Sequence, residues 1–198
     1  MCTPTSTSTR KNLPLSTAKK VVVLGIDPGT LVTGYALVAR TGVQVSLVDC
    51  GTISNPASEP LPYRLRRIYR TLRDLIERFR PDECAIESAF YGKNAQSALK
   101  LGHARGVAML AAVERNISTS EYTPRVVKKA VTGKGSASKI QVQFMVKALL
   151  HLPDSSMVLD ASDAVAIALC HLRRLGTPEG PAKDWRSFVA AHPERVRA

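Results

Sequence analysis

Val21-Val22-Val23-Leu24-Gly25-Ile26-Asp27-Pro28-Gly29-Thr30 is an apolar, β-branched run that stops abruptly at a carboxylate and a turn. A short run without alternation of apolar and polar residues is how a strand covered on both faces reads. It predicts a buried strand that delivers Asp27 to the edge of a sheet. Pro28 fixes φ for the first central turn position and Gly29 can supply a positive φ at the second, so a type II turn is expected just after Asp27. Two readings of Asp27 stand at this point. It can open the turn by bonding its own backbone, or it can be a functional acid.

Outward from this strand, Val32 to Arg40 and Val43 to Ile53 form two β-rich runs that meet at Thr41-Gly42, which predicts a hairpin. Asn55 to Pro62 reads as a proline-rich loop. From Tyr63 to Phe79, Leu65, Ile68, Leu72, Leu75, Ile76 and Phe79 recur at helical spacing, with Arg64, Arg66, Arg67, Arg70, Arg73 and Arg78 on the other face. Arg73 with Glu77 and Asp74 with Arg78 are spaced for i,i+4 pairing, so part of that face is ordinary solvated surface. Glu83 to Glu87 repeats the opening pattern, a short strand ending in a carboxylate. Asn94 is placed to cap a long helix to about Arg115, whose apolar second half is expected to be buried or to meet a partner.

Ser118 to Thr123 reads as a fifth strand, and Pro124 as the first residue of a short basic helix broken by Gly133-Lys134-Gly135-Ser136. Helices follow over Ile140 to Leu150 and Leu159 to Leu175, with Gly176 as the stop. The order of elements predicts an α/β fold, a five-stranded mixed sheet flanked by helices, with the first and fourth strands side by side. Residues 21–175 are read as one domain, 1–20 as a disordered basic leader and 176–198 as a polar tail with Trp185 and Phe188.

Of the formal net charge of +12, residues 1–20 supply +4 and residues 176–198 supply +1, so the domain itself is basic at +7. A field of that size favours polyanions, with nucleic acid the expected partner. No apolar run approaches the roughly 20 residues of a membrane span, and the leader lacks the apolar core of a secretory signal. Cys2, Cys50, Cys84 and Cys170 show no metal-binding or disulfide spacing, which suits a reducing, cytoplasmic compartment. His103, His151, His171 and His192 pair with none of them and are read first as structural or surface residues.

In the predicted sheet Asp27 and Glu87 become neighbours at adjacent strand ends. Asp160 and Asp163, three apart, point to one face of the last helix. An N-cap role for Asp160 and a first-turn, dipole-compensating role for Asp163 remain open alternatives. A Glu at the end of a buried strand is costly unless paired or metal-bound. Four clustered acids in a basic protein call for a divalent cation, and oxygen-only ligands point to Mg²⁺ or Mn²⁺. Two such ions about 4 Å apart activate a water and stabilise the leaving oxygen in phosphodiester hydrolysis.

Gly25-Ile26-Asp27-Pro28-Gly29-Thr30 with Thr33-Gly34-Tyr35, and Ala85-Ile86-Glu87 followed by Phe90 and Lys93-Asn94, carry a resemblance to the bacterial RuvC Holliday-junction resolvases. Ser97-Ala98-Leu99-Lys100-Leu101-Gly102, Ala104-Arg105-Gly106, Lys128, Gly135-Ser136-Ala137 and Asp160-Ala161-Ser162-Asp163-Ala164 continue it in the family's order. It implies a ribonuclease H-like fold, a homodimer, and Mg²⁺-dependent paired nicking of a four-way DNA junction. It further implies that Asp27, Glu87, Asp160 and Asp163 are the metal-binding catalytic acids and that Phe90 contacts bases near the crossover. Lys128 and Lys139 match basic residues near the scissile phosphate, Lys93 and Lys134 are placed for backbone contacts, and RuvA and RuvB are the implied branch-migration partners.

Three rival readings compete with this one. An actin-like ATPase or sugar kinase shares Asp-Pro-Gly-Thr but needs a second lobe that this chain is too short to hold. An RNA-processing nuclease of the YqgF type shares the opening motif without the full Asn94 to Gly106 segment. A non-catalytic junction-binding scaffold would have no use for all four acids.

Overall fold

The computed structural model describes residues 19–88, 95–153 and 159–176. Its centre is the opening strand, β1 (Lys20–Asp27), paired antiparallel with β2 (Val32–Thr41) and parallel with β4 (Glu83–Glu87). β3 (Gln44–Ser54) lies outside β2, and β5 (Ser118–Tyr122) runs parallel to β4, giving the order β3-β2-β1-β4-β5. This is the predicted mixed sheet, with β1 and β4 adjacent. A two-residue turn joins β2 to β3. Its Gly42 has φ 61°, the sign that a type II′ hairpin needs at the first central position.

Helices cover both faces. α1 (Leu61–Phe79) and α2 (Ala95–Val113) pack on one side, and α3 (Pro124–Thr132), α4 (Lys139–Leu150) and α5 (Leu159–Gly176) on the other. Alternation along each strand divides the core. Leu24, Ile26, Cys84 and Ile86 meet α1 and α2, whereas Val23 and Ala85 meet α5. α5 is the most deeply buried helix, since Val165, Ala166, Ile167 and Ala168 are all fully inaccessible. Burying each large side chain among these contributes roughly 1.5–3 kcal/mol. Its alanines let it come close. A Cβ on Gly25 would collide with the Ala164 carbonyl oxygen and stand 2.9 Å from the Ala168 nitrogen, so only glycine fits where α5 crosses β1.

Three local expectations need correction. Gly29 is absent from the described glycines of positive φ, which are Gly42 and Gly133, so the segment after Asp27 is not a type II turn. The Thr33 hydroxyl instead donates to the Gly29 carbonyl at 2.6 Å, and a Cβ on Gly29 would strike the Val32 carbonyl. Glycine is needed there for close approach. α1 begins at Leu61, earlier than predicted, because Pro62 falls in the first turn, where a missing N–H costs no helix bond. Arg73 stands 3.9 Å from Glu77 as expected, but Asp74 pairs with the adjacent Arg73 at 2.8 Å, and Arg78 lies over the Phe79 ring.

The arginine face of α1 also does structural work that its sequence does not announce. Arg64 donates to the Glu59 carbonyl at 2.5 Å, and Arg67 donates to the Asn55 side chain at 2.7 Å and to Glu59 at 2.6 Å. Asn55 in turn donates to the Thr30 carbonyl at 3.1 Å. The proline-rich loop is thereby tied to the segment that leaves Asp27. Cys84 and Cys170 are buried and Cys50 is half-buried, all as free thiols. No helix among the described residues is long and apolar enough to cross a membrane.

Candidate active site

Strand alternation that sends Val23 and Gly25 toward α5 sends Asp27 the same way, and Ala85 likewise places Glu87 on that face. The β1–β4 register pairs Ile26 with Ile86, so the two acids are the next residues on neighbouring parallel strands. α5 crosses above them and brings Asp163. These three carboxylates line one open cavity of about 390 Å³ together with Lys128 from α3 and Lys139 from α4. Leu101, Pro124, Val127, Val142 and Ala166 form its apolar walls.

The charges in this cavity are strongly coupled. The Lys139 ammonium donates to Asp163 Oδ2 at 2.7 Å. Burial pushes the Glu87 carboxyl up to about 7, and the nearby charges of Asp27 and Asp163 add to the rise, while Lys139 and Lys128 oppose it. Two anionic neighbours and partial desolvation thus make full ionisation of Glu87 costly in the absence of a further cation. The ligand set available is oxygen-only, which suits a hard divalent ion. Among the described residues no three His, Cys, Asp or Glu side chains already form a finished metal cluster, and Lys139 occupies Asp163.

The family model described as crossover junction endodeoxyribonuclease RuvC matches residues 23–171, a span that includes all five of the cavity's charged residues. The chain belongs to the RuvC family. A RuvC from Salinibacter ruber is 45% identical over 177 residues, covering 89% of this chain and 99% of that one. A RuvC from Geotalea uraniireducens is 49% identical over 149 residues, 75% of this chain and 86% of that one. Among solved structures, T. thermophilus RuvC in complex with Holliday junction substrate superposes with a TM-score of 0.74 at 35% identity, covering 79% of this chain and 97% of that chain. The yeast mitochondrial Holliday junction resolvase Ydc2, at 18% identity and a TM-score of 0.59 over 77% of this chain and 78% of that one, shares the fold. The sheet and its helices are thus the ribonuclease H-like fold of RuvC.

Within this RuvC fold the sequence-predicted residues separate. Asp27, Glu87, Asp163, Lys128 and Lys139 converge on the cavity. Asp160 lies in the first turn of α5, three residues before Asp163, and its side chain is outside the described residues. Phe90, Lys93 and Asn94 are outside them as well. Lys134 is exposed in the loop after α3 and is not among the residues lining the cavity. The apolar walls were missed from sequence. Leu101, Val127 and Val142 carry only the helical periodicity of core residues, and nothing in that pattern separates a cavity wall from a core contact.

The Glu87 shift sets a pH dependence. In the folded protein this carboxyl keeps its proton up to a pH of about 7, and in the unfolded chain only up to the ordinary 4.5. The folded state therefore binds more protons between these values, and metal-free protein gains stability as pH falls through that window, by up to about 1.4 kcal/mol per pH unit. That contribution is lost as pH rises through 7. Urea denaturation at several pH values, without divalent metal, checks this: Glu87→Gln flattens the slope, and an unchanged slope contradicts the assignment.

Proposed function

We propose that this protein is a structure-selective endonuclease that resolves four-way DNA junctions by paired, symmetric nicks, as its RuvC membership leads one to expect. The observation that carries the chemistry is the convergence of Asp27, Glu87 and Asp163 with Lys128 and Lys139 on one cavity at the sheet edge. Asp160, one turn before Asp163 on α5, completes the acid set in this reading. Residues 21–175 form the nuclease unit.

The four acids would hold Mg²⁺ or Mn²⁺, two ions per site. The fit rests on the donor set, three carboxylates brought together on one cavity wall with oxygen atoms as their only ligating atoms, and the crowding that pushes the Glu87 carboxyl up agrees with it. Bound there, such ions supply an activated water and compensate charge on the leaving oxygen of the phosphodiester. The chain's own groups do the rest. Lys139 leaves Asp163 and meets the phosphate, Lys128 contacts the same strand from α3, and the apolar walls limit water around the acids. Phe90 contacts bases near the crossover, with Lys93 and Lys134 on the flanking backbone.

Symmetric cutting needs two such sites, and α2 supplies a surface for a second copy. Leu99, Leu110 and Val113 are 62%, 52% and 56% exposed. With Gly102 and Gly106, whose missing Cβ positions face open space, they follow 3,4,4,3 spacing along one face of the helix. That is the pattern of a close helix–helix seam. A homodimer joined there, acting with the branch-migration proteins RuvA and RuvB, is the assembly we infer.

The test compares binding and cutting of a four-way junction, linear duplex and structured RNA with Mg²⁺ or Mn²⁺. Preference for the junction in both supports the reading, and equal or stronger cutting of RNA overturns it. Lys128→Ala lowers junction affinity and reduces the slope of log affinity against log salt by about 1, as expected when one phosphate is no longer neutralised. Titrations across a salt series measure that slope, and no change in it removes Lys128 from the interface.

A further inference from the structure

Outside the residues that line the acid cavity, α5 makes a further polar contact with the sheet. His171 is 3% exposed, and its Nδ1 stands 2.7 Å from the Tyr122 hydroxyl, with the two rings edge-on at 5.8 Å. Its Nε2 is buried without a hydrogen-bond partner and lies 3.7 Å from the Glu83 carboxylate. Burial holds the imidazole below its usual pKa, so it is neutral at pH 7. With the proton on Nε2, facing Glu83, the Nδ1 lone pair accepts from the Tyr122 hydroxyl.

These groups belong to the elements that carry the acids. His171 shares α5 with Asp163, Glu83 shares β4 with Glu87, and Tyr122 is the β5 partner of Glu87 in the strand register. The spacings match. Eight residues of helix from Asp163 to His171 rise about 12 Å, and four residues of strand from Glu87 back to Glu83 span about 13 Å. α5 therefore runs opposite to β4 and touches it with polar groups at both ends. Between those ends α5 packs on the sheet through close approaches, as at Gly25 against Ala164 and Ala168, and through the buried Val165 and Ile167, and just past His171 the Arg40 side chain of β2 donates to the Leu172 carbonyl at 2.5 Å.

We propose that His171 is a positioning residue, whose bond to Tyr122 and approach to Glu83 fix α5 along its axis so that Asp163 meets Glu87. This rests on reading Asp27, Glu87 and Asp163 as the catalytic acids. The test uses the full chain with Tyr122→Phe, His171→Leu and His171→Asn. Junction affinity is measured in Ca²⁺, Mn²⁺ affinity by calorimetry, and single-turnover cutting well below each variant's Tm.

Tyr122→Phe and His171→Leu are expected to bind junctions as the wild type does, to bind Mn²⁺ several-fold more weakly, and to cut about tenfold more slowly or worse. His171→Asn, whose amide oxygen can accept at the Nδ1 position, restores most of both. A fall in Tm with unchanged cutting and Mn²⁺ affinity overturns the proposal, as does unchanged behaviour throughout. Wild-type protein that leaves junctions uncut overturns the functional reading instead, and Mn²⁺ affinity then decides the positioning role alone.

Discussion

Glu87→Gln is expected to reduce junction cutting by about 10³-fold or more while leaving junction affinity within about twofold. The substitution keeps the volume and removes a carboxylate that ends β4 on the cavity wall beside Asp27 and Asp163. Phosphate affinity comes from cations, so deleting an anion from the site takes away none of the groups that hold the DNA. Less repulsion between acids also relieves the folded state, and metal-free Glu87→Gln should be more stable than wild type at pH 8. Single-turnover cutting, junction titration and denaturation at pH 8 check the three parts. Retained cutting would remove Glu87 from the chemistry.

Gly25→Ala is expected to have the second largest effect, at a position with no chemistry of its own. The new Cβ would meet the Ala164 carbonyl oxygen and the Ala168 nitrogen, which are backbone atoms that no rotamer change can move aside. α5 has to lift from β1, at a cost of about 1–3 kcal/mol. Asp163 immediately precedes the point of collision, so the cavity opens at its acidic end. A displacement of about 1 Å is enough to lower the rate roughly 10²-fold. Denaturant unfolding and single-turnover cutting measure both effects. A variant with wild-type stability and rate would show that α5 does not sit this closely on β1.

Much of this arrangement was legible in the chain. The opening strand, its echo at Glu83 to Glu87, and the hairpin between them fix which strands are neighbours, because apolar runs and turn residues are local signals. The pairing of Asp27 with Glu87 follows from that order and from strand alternation. What escaped depends on contacts made at a distance. Gly29 looked like a turn residue because its requirement, the close approach of the Val32 carbonyl, has no signature in neighbouring residues. The clamp of Arg64 and Arg67 on the proline-rich loop is equally invisible, since any exposed arginine row reads as solvated surface until the loop folds back onto it. From sequence His171 reads only as a structural or surface residue. Its link to both Tyr122 and Glu83 appears only once α5 is laid across the sheet.

The opening strand began with two readings of its terminal acid. The expected turn residue, Gly29, serves a close contact, while Asp27 faces a cavity shared with two further acids and two lysines. The central claim is that this cavity cuts opposed strands of a four-way junction at matching positions. It is tested most directly by mapping nicks on a junction labelled in both opposed strands, with Mg²⁺, followed by ligation of the products. Paired nicks related by the junction's two-fold symmetry, which a ligase seals, are the expected result. Unpaired or unligatable cuts, or equal cutting of the linear duplex arms, would contradict it.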